Sequence, residues 1–174
     1  MFIQIDTREG NKIEFDHPYI EGVIDKKLGE GDYQAIYRNQ ERSLYVFERK
    51  AKNDVFSTFG GDITRFRNEI IRSKENNIQL VIITECSFLS ILKGYKYSTV
   101  KGLTIMRKLW TISIKYGIPL VFCNSREHMA RYMAEFFCYC GHKKLYQPPS
   151  SVPFPPTPDT PGLGGCNDKI KTEL

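Results

Sequence analysis

The 174-residue sequence predicts an α/β fold, a mixed β-sheet flanked by helices on both faces. Three observations predict it. QLVIITE at residues 79–85 is a nearly continuous apolar strand, the kind required by a sheet covered on both sides. Strand-like and helix-like periods alternate along the chain in the order β-α-β-β-α-β-α-α-β-α. Apolar residues make up 41% of the chain and aromatic residues 13%, enough for a real core.

Each element has a local reason. FIQID at the amino terminus sets Ile3 and Ile5 on one side with polar neighbours between them, a strand pattern. DHPYIEGVIDKKLGEG is expected to form a short helix: Asp16 caps it, Pro18 suits its first turn, and Ile20, Val23, Ile24 and Leu28 share one face before Gly29 or Gly31 ends it. YQAIY and LYVFE flank the polar RNQERS and predict two strands joined as a hairpin. Asp54 is placed to cap a short helical turn that Gly60 and Gly61 break. Asp62 then caps a second helix with Ile63, Phe66, Ile70 and Ile71 on one stripe. After QLVIITE come helical patterns at about 87–93 and 99–117, a buried strand in IPLVFC, and a helix over about 126–140 capped by Ser125. From Gln147 onward the composition changes, with seven of the nine prolines. Residues 1–146 therefore read as the folded domain and 147–174 as a Pro-rich extended or disordered tail.

The net charge of +5 and pI near 8.9 lean towards an anionic partner. No apolar run approaches the roughly 18 residues of a membrane span, and MFIQIDTREG reads as a strand rather than a signal peptide. Five cysteines in apolar surroundings without an export signal point to reduced thiols, and to an intracellular, reducing compartment. CYCGH, with Cys138, Cys140 and His142, lacks the second ligand pair a structural zinc site needs; small buried residues near a helix end explain it better.

The chemistry concentrates around LYVFERKAKND, residues 44–54. Strand side chains alternate, so Glu48 and Lys50 share a face while Phe47 and Arg49 take the other. Asp32 begins the strand that pairs with 44–48, which brings it close to Glu48. Two facing carboxylates repel unless a hard divalent cation joins them, and Mg²⁺ accepts one or two carboxylates with backbone oxygen and water. The carbonyl of Arg49 is placed to supply that backbone oxygen. Lys50 beside the ion can orient or deprotonate a water or neutralise phosphate charge. An isolated E-x-K on a strand is more often a set of surface salt bridges. IDTREG shifts the balance, because Asp6, Arg8 and Glu9 crowd the end of the first strand, where open α/β sheets carry their sites.

The combined pattern Asp6-Thr7-Arg8-Glu9, Gly31-Asp32-Tyr33 and Glu48-Arg49-Lys50 with Asp54 resembles the nuclease signature of the XPF family of structure-specific DNA endonucleases. The resemblance covers roughly residues 1–142. It implies a restriction-endonuclease-like core of the PD-(D/E)xK type, with Asp32 and Glu48 holding Mg²⁺ (Mn²⁺ substituting) and Lys50 as the catalytic lysine. Asp6, Arg8, Glu9, Arg49 and Asp54 would complete the signature. The chain departs from the family in a longer spacer between Asp32 and Glu48 and in TRFRNE, where Arg65 keeps a cation but Glu69 stands near an expected Gln. No helix-hairpin-helix module follows, so the resemblance implies the nuclease domain alone, a minimal enzyme of viral or phage type or a piece of a longer one.

Lys50, Lys52, Arg65, Arg67, Arg72 and Lys74 follow the site along the chain, and Lys52, Arg65 and Arg67, with Arg8, are the DNA-contact candidates. Lys93, Lys96, Lys101, Arg107 and Lys108 form a second basic region that reads equally well as a solvated helix face. Tyr19, Tyr33, Tyr37 and Tyr45 read as packing residues rather than base platforms. The last helix carries Met129, Tyr132, Met133, Phe136, Phe137 and Cys140 along one side, and family precedent implies a homodimer through the C-terminal helices. The expected activity is metal-dependent hydrolysis of branched DNA such as flaps, forks or Holliday junctions, in recombination, repair or replication. A non-catalytic DNA-binding subunit and an interaction module acting through PFPPTP are the alternatives.

Overall fold

A computed structural model of the chain describes residues 1–147. In chain order the elements are β1 (Phe2–Ile5), β2 (Gly22–Asp25), β3 (Tyr33–Ile36), β4 (Arg42–Lys50), α1 (Lys52–Gly60), α2 (Thr64–Glu75), β5 (Gln79–Thr84), α3 (Phe88–Leu92), α4 (Gly102–Tyr116), β6 (Leu120–Phe122), α5 (Arg126–His142) and β7 (Tyr146–Gln147). The sheet runs β2-β1-β3-β4-β5-β6, and β7 pairs with the start of β4. It is mixed: β1–β3 and β3–β4 are antiparallel, whereas β1–β2, β4–β5 and β5–β6 are parallel. The predicted α/β class with helices on both faces is the observed one.

Period-two alternation along the strands divides the interior into two cores. Phe47, Val81 and Ile83 join Ile3, Ile5 and Tyr33 beneath α5, against Met129, Met133 and Phe137. Leu80 and Ile82 face the other way, onto Val55 and Phe59 of α1, Phe66 and Ile70 of α2, and Ile105 and Leu109 of α4. This is why Leu80 to Ile83 run apolar without a break: successive residues belong alternately to the two cores. Phe47 anchors the α5 side, its ring edge-on to Phe136 and Phe137 with centroids 5.3 and 5.2 Å away. Tyr33 and Tyr37 are buried there too, with Tyr33 Oη accepting from Ile13 N and Tyr37 Oη donating to Phe137 O, which makes them packing residues.

One predicted element is wrong. DHPYIEGVIDKKLGEG holds no helix; Gly22–Asp25 is β2, an edge strand beside β1. The expected stripe required Val23 and Ile24 both to face inward. Instead their exposure alternates, and Val23 is 53% exposed. The β-branched pair suits the pleat, and the open edge of β1 satisfies its backbone groups. Pro18 lies in a turn closed by Ile20 N donating to His17 O.

Smaller corrections follow from helix phase. Helix α1 starts at Lys52 with Ala51 at its cap, so Asp54 lies in the first turn rather than capping. Asp62 accepts from Thr64 N and Oγ1 one residue ahead of the α2 cap, Ile63. Ile71, predicted to be buried, is exposed, and Ser73 takes the inward place after Phe66 and Ile70. On α5, Tyr132 and Tyr139 are exposed while Ala130 and Ala134 are buried. Ser125 does cap α5, accepting from His128 N at 3.1 Å. Strand β7 extends pairing to Gln147, one residue into the Pro-rich segment; the rest of that segment, 148–174, lies outside the described residues.

Candidate active site

The carboxyl ends of β1, β4 and β5 lie at one edge of the sheet, because β1 and β4 are each antiparallel to β3 and β4 is parallel to β5. Asp6, Lys50 and Glu85 therefore leave their strands at the same edge, and Asp32 enters β3 there. Tyr33 pairs with Phe47, so Asp32 and Glu48 lie one step further along the same ladder. Asp32 N donates to Phe47 O at 2.8 Å, and Asp32 Oδ2 accepts from Arg49 N at 2.8 Å. The turn into β3 depends on Gly31, whose φ of +66° an L side chain adopts poorly. A Cβ there would lie 2.5 Å from Val46 Cγ1.

The edge carries two charged clusters, one on each face. On the α1–α2 face sit Glu48, Lys50 and Asp32. Lys50 Nζ is ion-paired to Glu48 and lies 5.3 Å from the centre of the Phe66 ring of α2. Burial pushes Glu48 up to about 8, reinforced by the negative charge of Asp32 and relieved in part by Lys50. Burial also pushes Asp32 up to about 6, against the Arg49 N–H and Lys50 that pull it down. Lys50 is half-buried, which alone would lower it, but the surrounding carboxylates hold it above its ordinary value. One ammonium thus faces more negative charge than it can neutralise.

On the α5 face lies Arg49. Its Nε donates to Glu9 Oε2 at 3.0 Å, its Nη2 to Glu9 Oε1 at 3.1 Å, and its Nη1 to Glu85. Arg126 of α5 shares Glu85 Oε1 at 2.8 Å and donates to the carbonyls of Asn11 and Lys12. Asp6 sits beside this network but is saturated. It accepts from Arg8 N, Nε and Nη2 and from Leu28 N, and these donors more than offset its burial, holding it below the usual carboxylate range. Asp6 and Arg8 thereby fasten the 6–9 loop to the segment entering Asp32.

The sequence-predicted residues therefore separate by position. Asp32, Glu48 and Lys50 share one face; Glu9 and Arg49 share the other; Asp6 and Arg8 brace the loop between. Lys52 Nζ donates to Ser90 Oγ at 3.0 Å, and Asp54 accepts from Asn53 in the first turn of α1. Arg65 and Arg67 are exposed on α2. Glu85 and Arg126 escaped the sequence reading, and Glu69, noted there only as standing near an expected Gln, gains a contact. Glu69 of α2 accepts from Gly31 N at 3.2 Å and adds its charge to Asp32 and Glu48. Glu85 and Arg126 complete the Arg49 network. Glu85 was findable as a charged residue at the end of a buried strand parallel to β4; the contact of Glu69 across to Gly31 had no local signal.

Among the described residues, no group of three or more His, Cys, Asp or Glu side chains is arranged to hold a metal ion, CYCGH included. The donor chemistry of the Asp32–Glu48 pair still fits a hard divalent cation. Mg²⁺ needs only one or two carboxylates with water, and the burial that pushes both acids up is a cost to their ionised forms that a cation offsets.

Residues 5–136 match the family model described as the ERCC4 domain. The chain belongs to the ERCC4 domain family. This is the XPF nuclease family that the Asp-x-Arg-Glu, Gly-Asp-Tyr and Glu-Arg-Lys segments resemble. Among solved structures it is similar to XPF from Aeropyrum pernix, with a TM-score of 0.55 and 17% identity over 82% of this chain and 73% of that one. It is also similar to XPF from Aeropyrum pernix in complex with DNA, with a TM-score of 0.60 and 18% identity over 82% of this chain and 66% of that one. At such identity these structures establish the family's fold. No curated protein matches the chain significantly.

Proposed function

We propose that this ERCC4-family domain is a divalent-metal-dependent endonuclease that hydrolyses phosphodiester bonds in branched DNA. The carrying observation is the placement of Asp32 and Glu48 side by side with Lys50 at the edge of the sheet, Glu48 buried and the other two half-buried, where burial pushes both acids up. Burying two like charges is costly unless a cation and an anionic substrate complete the site. Asp32 and Glu48 hold the ion, with the Arg49 carbonyl as a further oxygen donor. When bound, Mg²⁺ or Mn²⁺ supplies Lewis-acid stabilisation of phosphate charge and makes water a stronger nucleophile.

The chain's own groups do the rest. Lys50 presents a fixed positive charge where negative charge grows on the phosphate, in a site largely withdrawn from solvent. Glu48 orients Lys50 through their ion pair. Glu9 and Glu85, by gripping Arg49 on the opposite face, hold the β4 backbone in place under both groups. Exposed Arg65 and Arg67 of α2 supply phosphate contacts. A second copy of the chain docks through the C-terminal helices, where Trp110 and Ile114 of α4 and Tyr132 and Tyr139 of α5 stand exposed.

The test is cleavage of labelled linear, flapped and four-way DNA by the purified chain with Mg²⁺ or EDTA, alongside Asp32→Ala and Lys50→Ala. Branched substrates are cut only with metal, and neither variant cuts. Metal-independent cleavage, or cleavage retained by both variants, overturns the assignment.

A further inference from the structure

Charge is distributed unevenly along this chain. Residues 86–126 contain no Asp or Glu, yet hold seven of the 25 Lys and Arg: Lys93, Lys96, Lys101, Arg107, Lys108, Lys115 and Arg126. Without this stretch the net charge of +5 would be −2. The basic character of the protein therefore belongs to one continuous stretch of sequence, from α3 through α4 to the first residue of α5.

The fold gathers part of it around an open cleft of about 950 Å³ between the α3–α4 loop and the start of α1. Lys52, Lys93, Lys96 and Lys101 line it, and no carboxylate does. Lys93, Lys96 and Lys101 are exposed. Tyr97, 73% exposed, stands at this loop with the Lys96 ammonium 4.5 Å from its ring centre and the Tyr95 ring edge-on at 5.4 Å. Gly102 lets the loop pass tightly into α4, since a Cβ there would lie 2.0 Å from Ile91 O. The cleft adjoins the candidate active site through Lys52, which lies two residues past Lys50 and has its Nζ anchored to Ser90 of α3.

We propose that this cleft is a second DNA-binding surface, which holds the backbone of a strand leaving the active site while Tyr97 stacks on one of its unpaired bases. The inference rests on the nuclease reading for its substrate class, but on separate residues. Carboxylate-free lysines suit phosphates, which bring charge without a base sequence. An exposed ring beside a cation suits a base face, which is available only where the strand is single.

Binding of the full chain to a linear duplex and to a duplex with a single-stranded flap, followed by fluorescence anisotropy in EDTA across a range of salt, tests it. The variants are Lys93→Gln/Lys96→Gln/Lys101→Gln, Tyr97→Ala and, as a charge control, Lys143→Gln/Lys144→Gln at the far end of α5. The triple variant is expected to bind flapped DNA roughly tenfold more weakly, with a log–log salt slope shallower by about 2 to 3. Tyr97→Ala weakens only the flapped DNA. Thermal midpoints near wild type confirm that all variants fold. Wild-type affinity and slope in the triple variant, or an equal loss in the control, overturns the surface. An unaltered flap affinity in Tyr97→Ala overturns the stacking. Displacement of DNA by polyglutamate that itself binds as tightly overturns the assignment to DNA. A wild-type chain that binds through the cleft but cuts nothing leaves the surface standing and fails the nuclease reading; cleavage with the cleft variants unaffected does the reverse.

Discussion

The backbone N–H of Arg49 donates to Oδ2 of Asp32 at 2.8 Å, tying the acid at the head of β3 to the strand that carries Glu48 and Lys50. One residue thus works on three sides: its amide positions Asp32, its side chain pairs with Glu9 and Glu85 on the far face, and its carbonyl is the candidate metal donor. Asp32→Asn separates these jobs. The amide oxygen still accepts from Arg49, while a like charge beside Glu48 disappears. Cleavage should fall by at least about 10² to 10³, and the metal-free melting temperature should stay level or rise. Scanning calorimetry in EDTA beside a cleavage assay checks both.

The raised acids give metal-free stability a direction with pH. Glu48 titrates near 8 and Asp32 near 6 in the fold, against 4.5 and 3.8 in the open chain. Between those values the folded state binds more protons than the unfolded one, so stability is full below about 4 and is lost as pH rises to about 8. A cation replaces those protons. The melting-temperature gain from Mg²⁺ should therefore grow steadily from pH 5 to pH 8, and Glu48→Gln should flatten it. A Mg²⁺ effect independent of pH contradicts the assignment.

Arg49 and Glu9 have side chains only 6% and 8% exposed, so neither can recover hydration when its partner is removed. Arg49→Leu leaves Glu9 and Glu85 facing each other with Arg126 as the remaining cation at Glu85. Breaking a buried pair from one side costs about 3 to 5 kcal/mol. Urea unfolding measures it. Adding Glu9→Leu to Arg49→Leu should recover part of the loss, since the stranded charge goes with it.

What could be read beforehand was whatever depends on periodicity. Glu48 and Lys50 fall on one face and Arg49 on the other because strands alternate, and the two-core sheet followed from the unbroken apolar run of QLVIITE. Asp32 was reachable because a hairpin pairs neighbours. The segment at 16–31 was misread because Ile20, Val23, Ile24 and Leu28 fit both a helical stripe and a pleat, and only the open edge of β1 decided between them. Glu69 lay on a helix whose contact with Gly31 spans 38 residues, beyond any local pattern.

Gly31→Ala tests how tightly the approach to Asp32 is built. The new methyl meets Val46 Cγ1 at 2.5 Å and the Phe47 carbonyl at 3.1 Å, and the φ of +66° costs about 1 to 2 kcal/mol in addition. With overpacking of about 1 to 3 kcal/mol, the variant should lose stability and activity together. Gly94→Ala, which meets nothing within 4 Å at a φ of +86°, should lose only the backbone part.

Glu69→Gln probes the acid whose contact with Gly31 the local pattern did not reveal. Its Oε1 accepts from Gly31 N at 3.2 Å, a bond that an amide oxygen preserves, so the turn into Asp32 should survive. What changes is charge: Glu69 raises both Asp32 and Glu48, and without it both acids ionise at lower pH. If Glu69 acts only through that field and by steadying the turn, Mn²⁺ affinity should drop by about 10-fold, the range found for outer partners of metal ligands. Asp32→Asn should lose binding altogether. Calorimetric titration of Mn²⁺ into the three proteins separates the roles, since a Glu69→Gln loss as deep as that of Asp32→Asn would make Glu69 itself a ligand.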